Sequence, residues 1–151
     1  MKNEQLKDII SFAVENEIDA YKFYKNASEK IKDNTLKETF KDLADEELKH
    51  KKFLEDFLSS DVNTIELNDF SDYKIAETVD KPALTIDMDF SEAIALAMKK
   101  EEEAMDMYKN LADVCKNNEQ KELFLGLMKM EQMHKSRLED IYVNVAYTEV
   151  W

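Results

Sequence analysis

At 151 residues with 44% hydrophobic content, the chain can bury a sizeable core but has little room for a second independent domain, so residues 1–151 read as one. A single glycine and a single proline exclude turn-rich all-β folds, which need both residues repeatedly. A formal net charge of -13 repels a nucleic-acid backbone and excludes that class of partner.

The predicted elements are four long helices. Leu6, Ile9, Ile10, Ala13, Ile18, Ala20, Phe23, Tyr24, Ala27 and Ile31 recur at three- and four-residue steps, which predicts an amphipathic helix over residues 4–31. After the polar stretch Lys32-Asp33-Asn34, the segment Thr35-Leu-Lys-Glu38 reads as a capping box. A second helix over 35–59 follows, carrying Phe40, Leu43, Leu48, Phe53, Leu54 and Phe57. Residues 60–90 hold Pro82, many Asp and Asn, and the alternating run Leu84-Thr-Ile-Asp-Met. They are expected to form a crossover with a short helical turn or an extended stretch. Asp89 or Ser91 caps a third helix, over 91–116, and Asn117-Asn118 precede a fourth, to about 143. The tail 144–151 continues an apolar, aromatic stretch that begins at Ile141 and ends at Trp151; it is expected to cover a helix face or a subunit interface.

Short connections make the first helix antiparallel to the second and the third antiparallel to the fourth. The long middle segment is able to return along a helix of about 38 Å and start the third parallel to the second. The expected fold is therefore an all-α, ferritin-like four-helix bundle.

An internal repeat organises these helices. An offset of 84 aligns Ile10 with Ile94, Ala13 with Ala97, Glu17 with Glu101, Ala20 with Ala104 and Tyr24 with Tyr108. Without a gap it then pairs Lys37 with Lys121, Glu38 with Glu122, Phe40 with Phe124, Leu43 with Leu127, Glu47 with Glu131, His50 with His134 and Leu54 with Leu138. The chain is a duplicated helix pair.

Both histidines of the chain follow a glutamate by three positions, in Glu47-Leu-Lys-His50 and Glu131-Gln-Met-His134, so each pair shares a helix face. An isolated pair of this kind is usually solvated surface; repetition at equivalent depth reverses that reading. Glu17 and Glu101 lie about as far before each interhelix connection as Glu47 and Glu131 lie after it. The antiparallel pairs thus bring Glu17, Glu47, His50, Glu101, Glu131 and His134 together at mid-bundle, where apolar residues ordinarily sit. Four buried carboxylates need neutralising, and two divalent cations match them when both imidazoles are neutral.

The surrounding residues carry a resemblance. Glu17-Ile-Asp-Ala20-Tyr-Lys-Phe23-Tyr24 and Glu101-Glu-Glu-Ala104-Met-Asp-Met107-Tyr108 resemble the first-helix motif of rubrerythrin and bacterioferritin, and each Glu-x-x-His resembles their partner helices. The resemblance implies that the same six residues are the metal ligands, with two iron ions and an oxo or hydroxo bridge the usual occupants; manganese and zinc also suit carboxylate and imidazole. It implies reduction of hydrogen peroxide, or reaction with dioxygen, at the metal pair. The alternatives are a ferritin-like iron-storage protein with ferroxidase activity and a metal-stabilised scaffold without turnover. Many rubrerythrins place a further carboxylate where Ala104 stands, so a redox-linked exchange of histidine and carboxylate is not expected. The rubredoxin module of full-length rubrerythrins is absent too, as Cys115 is the only cysteine. Electrons would come from an external donor such as a rubredoxin-like protein.

Other residues have more ordinary readings. Tyr24 and Tyr108 each follow a proposed ligand by seven residues, on its face, and their hydroxyls are expected to bond ligand carboxylates. Met98, Met105, Met107, Met128, Met130 and Met133 read as core filling in preference to haem ligation. Glu46 and Glu102, about 100° around the helix from their ligand neighbours, and Glu103, about 200° from Glu101, read as solvated. Cys115 reads as an ordinary thiol. With no signal-peptide core and no 18-residue apolar run, a cytoplasmic protein with no membrane partner is expected. A homodimer is expected as well, and the crossover permits two chains to exchange helices.

Overall fold

A computed structural model describes residues 2–61, 84–145 and 150–151. The described residues contain the four expected long helices: α1 (Lys2–Lys30), α2 (Asn34–Asp56), α3 (Phe90–Val114) and α4 (Asn118–Val145). At its carboxyl end α2 widens into a π-helical turn, Phe57–Asp61, which keeps Phe57 buried.

The duplication is kept in the element bounds. The first helix of each pair ends at Lys30 or Val114, and the second starts at Asn34 or Asn118, both 84 residues apart. Each three-residue connection ends in a side chain that caps the next helix. Asp33 accepts from the Leu36 amide at 2.8 Å, and Asn117 accepts from the amides of Glu119 and Gln120 at 2.9 and 3.2 Å. Such caps satisfy amide groups that have no partner inside the helix, and each contributes about 1 kcal/mol. The expected capping box at Thr35–Glu38 is thereby corrected: helix formation begins one residue earlier, and Asp33 takes the capping role. Asp89 stands before α3 as expected, yet its side chain makes no capping bond.

Two apolar clusters fix the helix directions. One joins Leu6, Ile10 and Ala13 of α1, Leu54 of α2, Leu111 of α3 and Phe124 and Leu127 of α4. The other joins Phe23 and Ala27 of α1, Phe40 and Leu43 of α2, Ile94 and Ala97 of α3 and Leu138 of α4. The start of α1 thus meets the ends of α2 and α3 and the start of α4, so α2 runs parallel to α3. This is the connectivity of a ferritin-like four-helix bundle. The backbones pack closely within each hairpin, α1 with α2 and α3 with α4.

Most of the crossover, residues 62–83, lies outside the described residues, and so does the choice between a helical turn and an extended stretch there. Its final residues form a turn at Ile86 and Asp87, with Leu84, Ile86 and Met88 packed against the second cluster. The chain end returns to the same place. Trp151 stacks edge-on against Phe90 at 5.0 Å, donates its indole N–H to the Met88 carbonyl at 3.2 Å and lies under the Lys30 ammonium. These last two residues pack at the start of α3, while 146–149, where the rest of the expected covering of a helix face or subunit interface falls, lie outside the described residues. Among the described residues no helix is long and apolar enough to cross a membrane.

Candidate metal centre

Every helix interrupts its apolar face at the same level. Glu17 falls between Val14 and Phe23, Glu47 and His50 between Ala44 and Leu54, Glu101 between Ala97 and Met107, and Glu131 and His134 between Leu127 and Leu138. The flanking residues belong to opposite apolar clusters, so the six polar residues form a layer between them. None is more than 6% exposed, which is rare for carboxylates without a charge partner.

Within the layer the six residues form two overlapping groups. Glu17, Glu47, His50 and Glu131 converge on one point, and Glu47, Glu101, Glu131 and His134 on another, each offering ligand atoms within 4.8 Å of one another. Glu47 and Glu131 are common to both. Nδ1 of His50 lies 2.7 Å from Glu131 Oε1 and 3.7 Å from Glu17 Oε2. Nδ1 of His134 lies 2.5 Å from Glu47 Oε1 and 3.7 Å from Glu101 Oε1. The pairs His50–Glu131 and His134–Glu47 are mirror contacts of the antiparallel α2 and α4, and the two imidazoles stack at 5.8 Å.

The tyrosines take their expected role. Tyr24 donates to Glu101 Oε1 and Tyr108 to Glu17 Oε1, both at 2.7 Å. Each thus serves the carboxylate of the opposite hairpin, because seven residues on one helix is a rise of about 10.5 Å, beyond the reach of a direct bond. The antiparallel packing of α1 on α3 brings each tyrosine beside the other helix's glutamate.

Glu46 corrects the sequence reading. It was expected in solvent, but its side chain is only 26% exposed and it bonds Nε2 of His134 at 2.5 Å. It also lies 3.7 Å from the Arg137 guanidinium. Glu47 and Glu46 thus meet the same imidazole of α4 at its two ring nitrogens, Glu47 at Nδ1 and Glu46 at Nε2. The repeat carries no signal for this contact: 84 residues beyond Glu46 stands Met130, but Asp42, Ala44 and Asp45 also face unlike residues at that offset. Glu102 and Glu103 are exposed as expected, and Glu102 pairs with Lys135 at 3.3 Å. Met107 is core, Met128 packs against its cluster and Met98 against the other, but Met133 is 54% exposed and fills nothing. Burial pushes the Cys115 thiol up to about 11, consistent with an inert side chain.

In the metal-free chain the layer is electrostatically crowded. Burial, and then the charges of Glu101 and its neighbours, push the carboxyls of Glu47 and Glu131 well above the usual range. Burial acts on Glu17 in the same direction, but the adjoining Glu47, His50 and Tyr108 side chains bring it below the usual value. Burial disfavours the His134 cation, yet the carboxylates of Glu101 and Glu46 more than offset this. Burial and the adjoining carboxylates hold both tyrosines in their neutral, donating form.

The layer also leaves atoms that protein groups do not satisfy: Glu17 Oε2, Glu47 Oε1, Glu101 Oε2 and His134 Nδ1 are buried without a hydrogen bond. Glu47 Oε1 and His134 Nδ1 are close together yet lack the alignment of a hydrogen bond. Each tyrosine occupies one oxygen of a carboxylate whose other oxygen is such an orphan. Lone pairs converging on a common point are the donor set of a hard divalent cation, and four carboxylates match the charge of two. The residues fit a pair of metal ions.

Known proteins agree with this architecture. The rubrerythrin family model matches residues 8–142. A hypothetical protein from Pyrococcus furiosus is 30% identical, with 91% of this chain and 87% of that one covered at a TM-score of 0.68. A chain from Thermotoga maritima, described as a candidate ferritin-like diiron-carboxylate protein, is 20% identical, with 90% and 93% covered at a TM-score of 0.68. No curated protein matches the chain.

Proposed function

This chain belongs to the rubrerythrin family, and on that premise we propose that its mid-bundle layer holds two iron ions and reduces hydrogen peroxide to water. The observation that carries the reading is the set of buried, unsatisfied ligand atoms, Glu17 Oε2, Glu47 Oε1, Glu101 Oε2 and His134 Nδ1, directed into one layer. Glu47 and Glu131, common to both groups, would serve both ions, and Glu17 with His50 and Glu101 with His134 would complete one position each.

When bound, a ferrous pair supplies the two electrons that, with two protons, convert one peroxide to two waters. The chain's own residues prepare for this. Tyr24 and Tyr108 hold Glu101 and Glu17 by one oxygen and leave the other for the metal, which fixes each carboxylate's orientation. The apolar clusters above and below exclude bulk water and keep the carboxylates in a low dielectric, where a cation is held more strongly. Electrons return from an external donor such as a rubredoxin-like protein, and the working unit is a cytoplasmic homodimer.

Metal analysis combined with anaerobic peroxide titration tests the proposal. The expected result is two irons per chain and rapid oxidation of the reduced protein by one equivalent of peroxide. A His50→Ala, His134→Ala double variant that retains both ions would refute the ligand assignment. A reduced two-iron chain inert to peroxide would refute the activity and leave the binding intact.

A further inference from the structure

The two halves of the layer differ behind their histidines. His134 points Nδ1 into the layer and Nε2 at Glu46, whose carboxylate is in turn flanked by Arg137. His50 also points Nδ1 into the layer, but no carboxylate among the described residues is paired with its Nε2. At the positions 84 residues from Glu46 and Arg137 stand Met130 and Phe53, neither able to accept a proton or carry a charge.

A neutral imidazole that ligates through Nδ1 carries its single proton on Nε2. A carboxylate accepting that proton fixes the tautomer, locks the ring orientation and makes Nδ1 the stronger donor, and losing such a partner costs about 10- to 100-fold in metal affinity. Arg137, 3.7 Å from the Glu46 carboxylate, helps to hold it against the ring. The geometry points to two unequal metal positions: the one completed by Glu101 and His134 fills first and more tightly, and Glu46 is the positioning residue that makes it so. This rests on the two-metal reading above, and adds an order of loading that the symmetry of the six ligands does not contain.

Cobalt(II) titration of the metal-free full chain, followed by visible absorption and calorimetry, reads the two steps directly. The expected result is a first ion bound at least about 10-fold more tightly than the second. Glu46→Met, which installs the residue of the other half, should weaken the first step by about 10- to 100-fold and leave the second in place. Glu46→Gln keeps the size and an uncharged acceptor and should fall between. Met130→Glu leaves Glu46 intact and should strengthen the second step; helical circular dichroism of each metal-free variant reports that the bundle is retained. Equal affinities in the unaltered chain, or unchanged steps in a Glu46→Met chain that still takes two ions, overturn the inference. A chain that takes no cobalt at all overturns the two-metal reading itself.

Discussion

The hairpin α1–α2 and the hairpin α3–α4 share ligands, tyrosines, connection length and cap position at one constant offset, yet they surround their histidines differently. His50 is 6% exposed with Met130 at the site equivalent to Glu46; His134 is fully buried and backed by Glu46 and Arg137. Residues that touch the proposed ions are held alike by the chemistry of a symmetric pair. Residues one layer out are free to diverge, and divergence there is enough to make two similar positions unequal.

The largest expected effect separates what the halves share from what each owns. Glu47→Ala or Glu131→Ala removes a ligand common to both groups and should take metal content from two ions per chain to none. Glu17→Ala should lose only the ion on the His50 side, because the His134 group does not include it. Elemental analysis after desalting distinguishes the two patterns; loss of a single ion in the Glu47→Ala and Glu131→Ala chains would show that neither residue is shared.

Titration of the metal-free chain gives the next effect. Glu47 and Glu131 have folded pKa values raised above the ordinary carboxyl value of 4.5, so between their unfolded and folded values the folded chain binds more protons. Their stability contribution is complete below about pH 4.5 and declines as pH rises. His134, raised above 6.5, acts with the same sign; Glu17, lowered, acts oppositely but only below its ordinary range. The Tm of the metal-free protein should therefore fall from about pH 5 to pH 8, whereas the metal-loaded protein should gain, since ligands must be deprotonated to bind. Thermal melts with and without chelator check both slopes.

Tyr24→Phe and Tyr108→Phe test whether the halves are equal where they look equal. Each deletes one buried bond to a carboxylate and should cost about 1.5–3 kcal/mol in denaturant unfolding. A clear difference between them would extend the asymmetry to the tyrosines. The smallest effect lies at Gly126, an exposed helical glycine whose counterpart in α2 is Asp42. An added Cβ meets nothing within 4 Å, so Gly126→Ala should stabilise by about 0.5–1 kcal/mol in the same assay.

Most of the architecture was legible because it rests on periodicity. Apolar spacing located the helices, and the 84-residue repeat joined Glu17, Glu47 and His50 to Glu101, Glu131 and His134 before any contact was known. What escaped was set by neighbouring helices. Neither the reach of Glu46 into α4 nor the exchange of tyrosine partners between α1 and α3 follows from one helix's angles, which say where a side chain leaves the backbone and not what meets it. Asp33 took the cap from Thr35 because helix ends are decided by local backbone geometry within a residue or two.

Trp151 is the chain's only tryptophan, and it sits against Phe90 and Met88 at the end of the bundle where α3 begins. Its fluorescence is consequently a private signal for the docking of the chain terminus. Emission shifting to longer wavelength while helical dichroism stays constant would record the terminus lifting away, a motion that leaves the glutamate and histidine layer untouched.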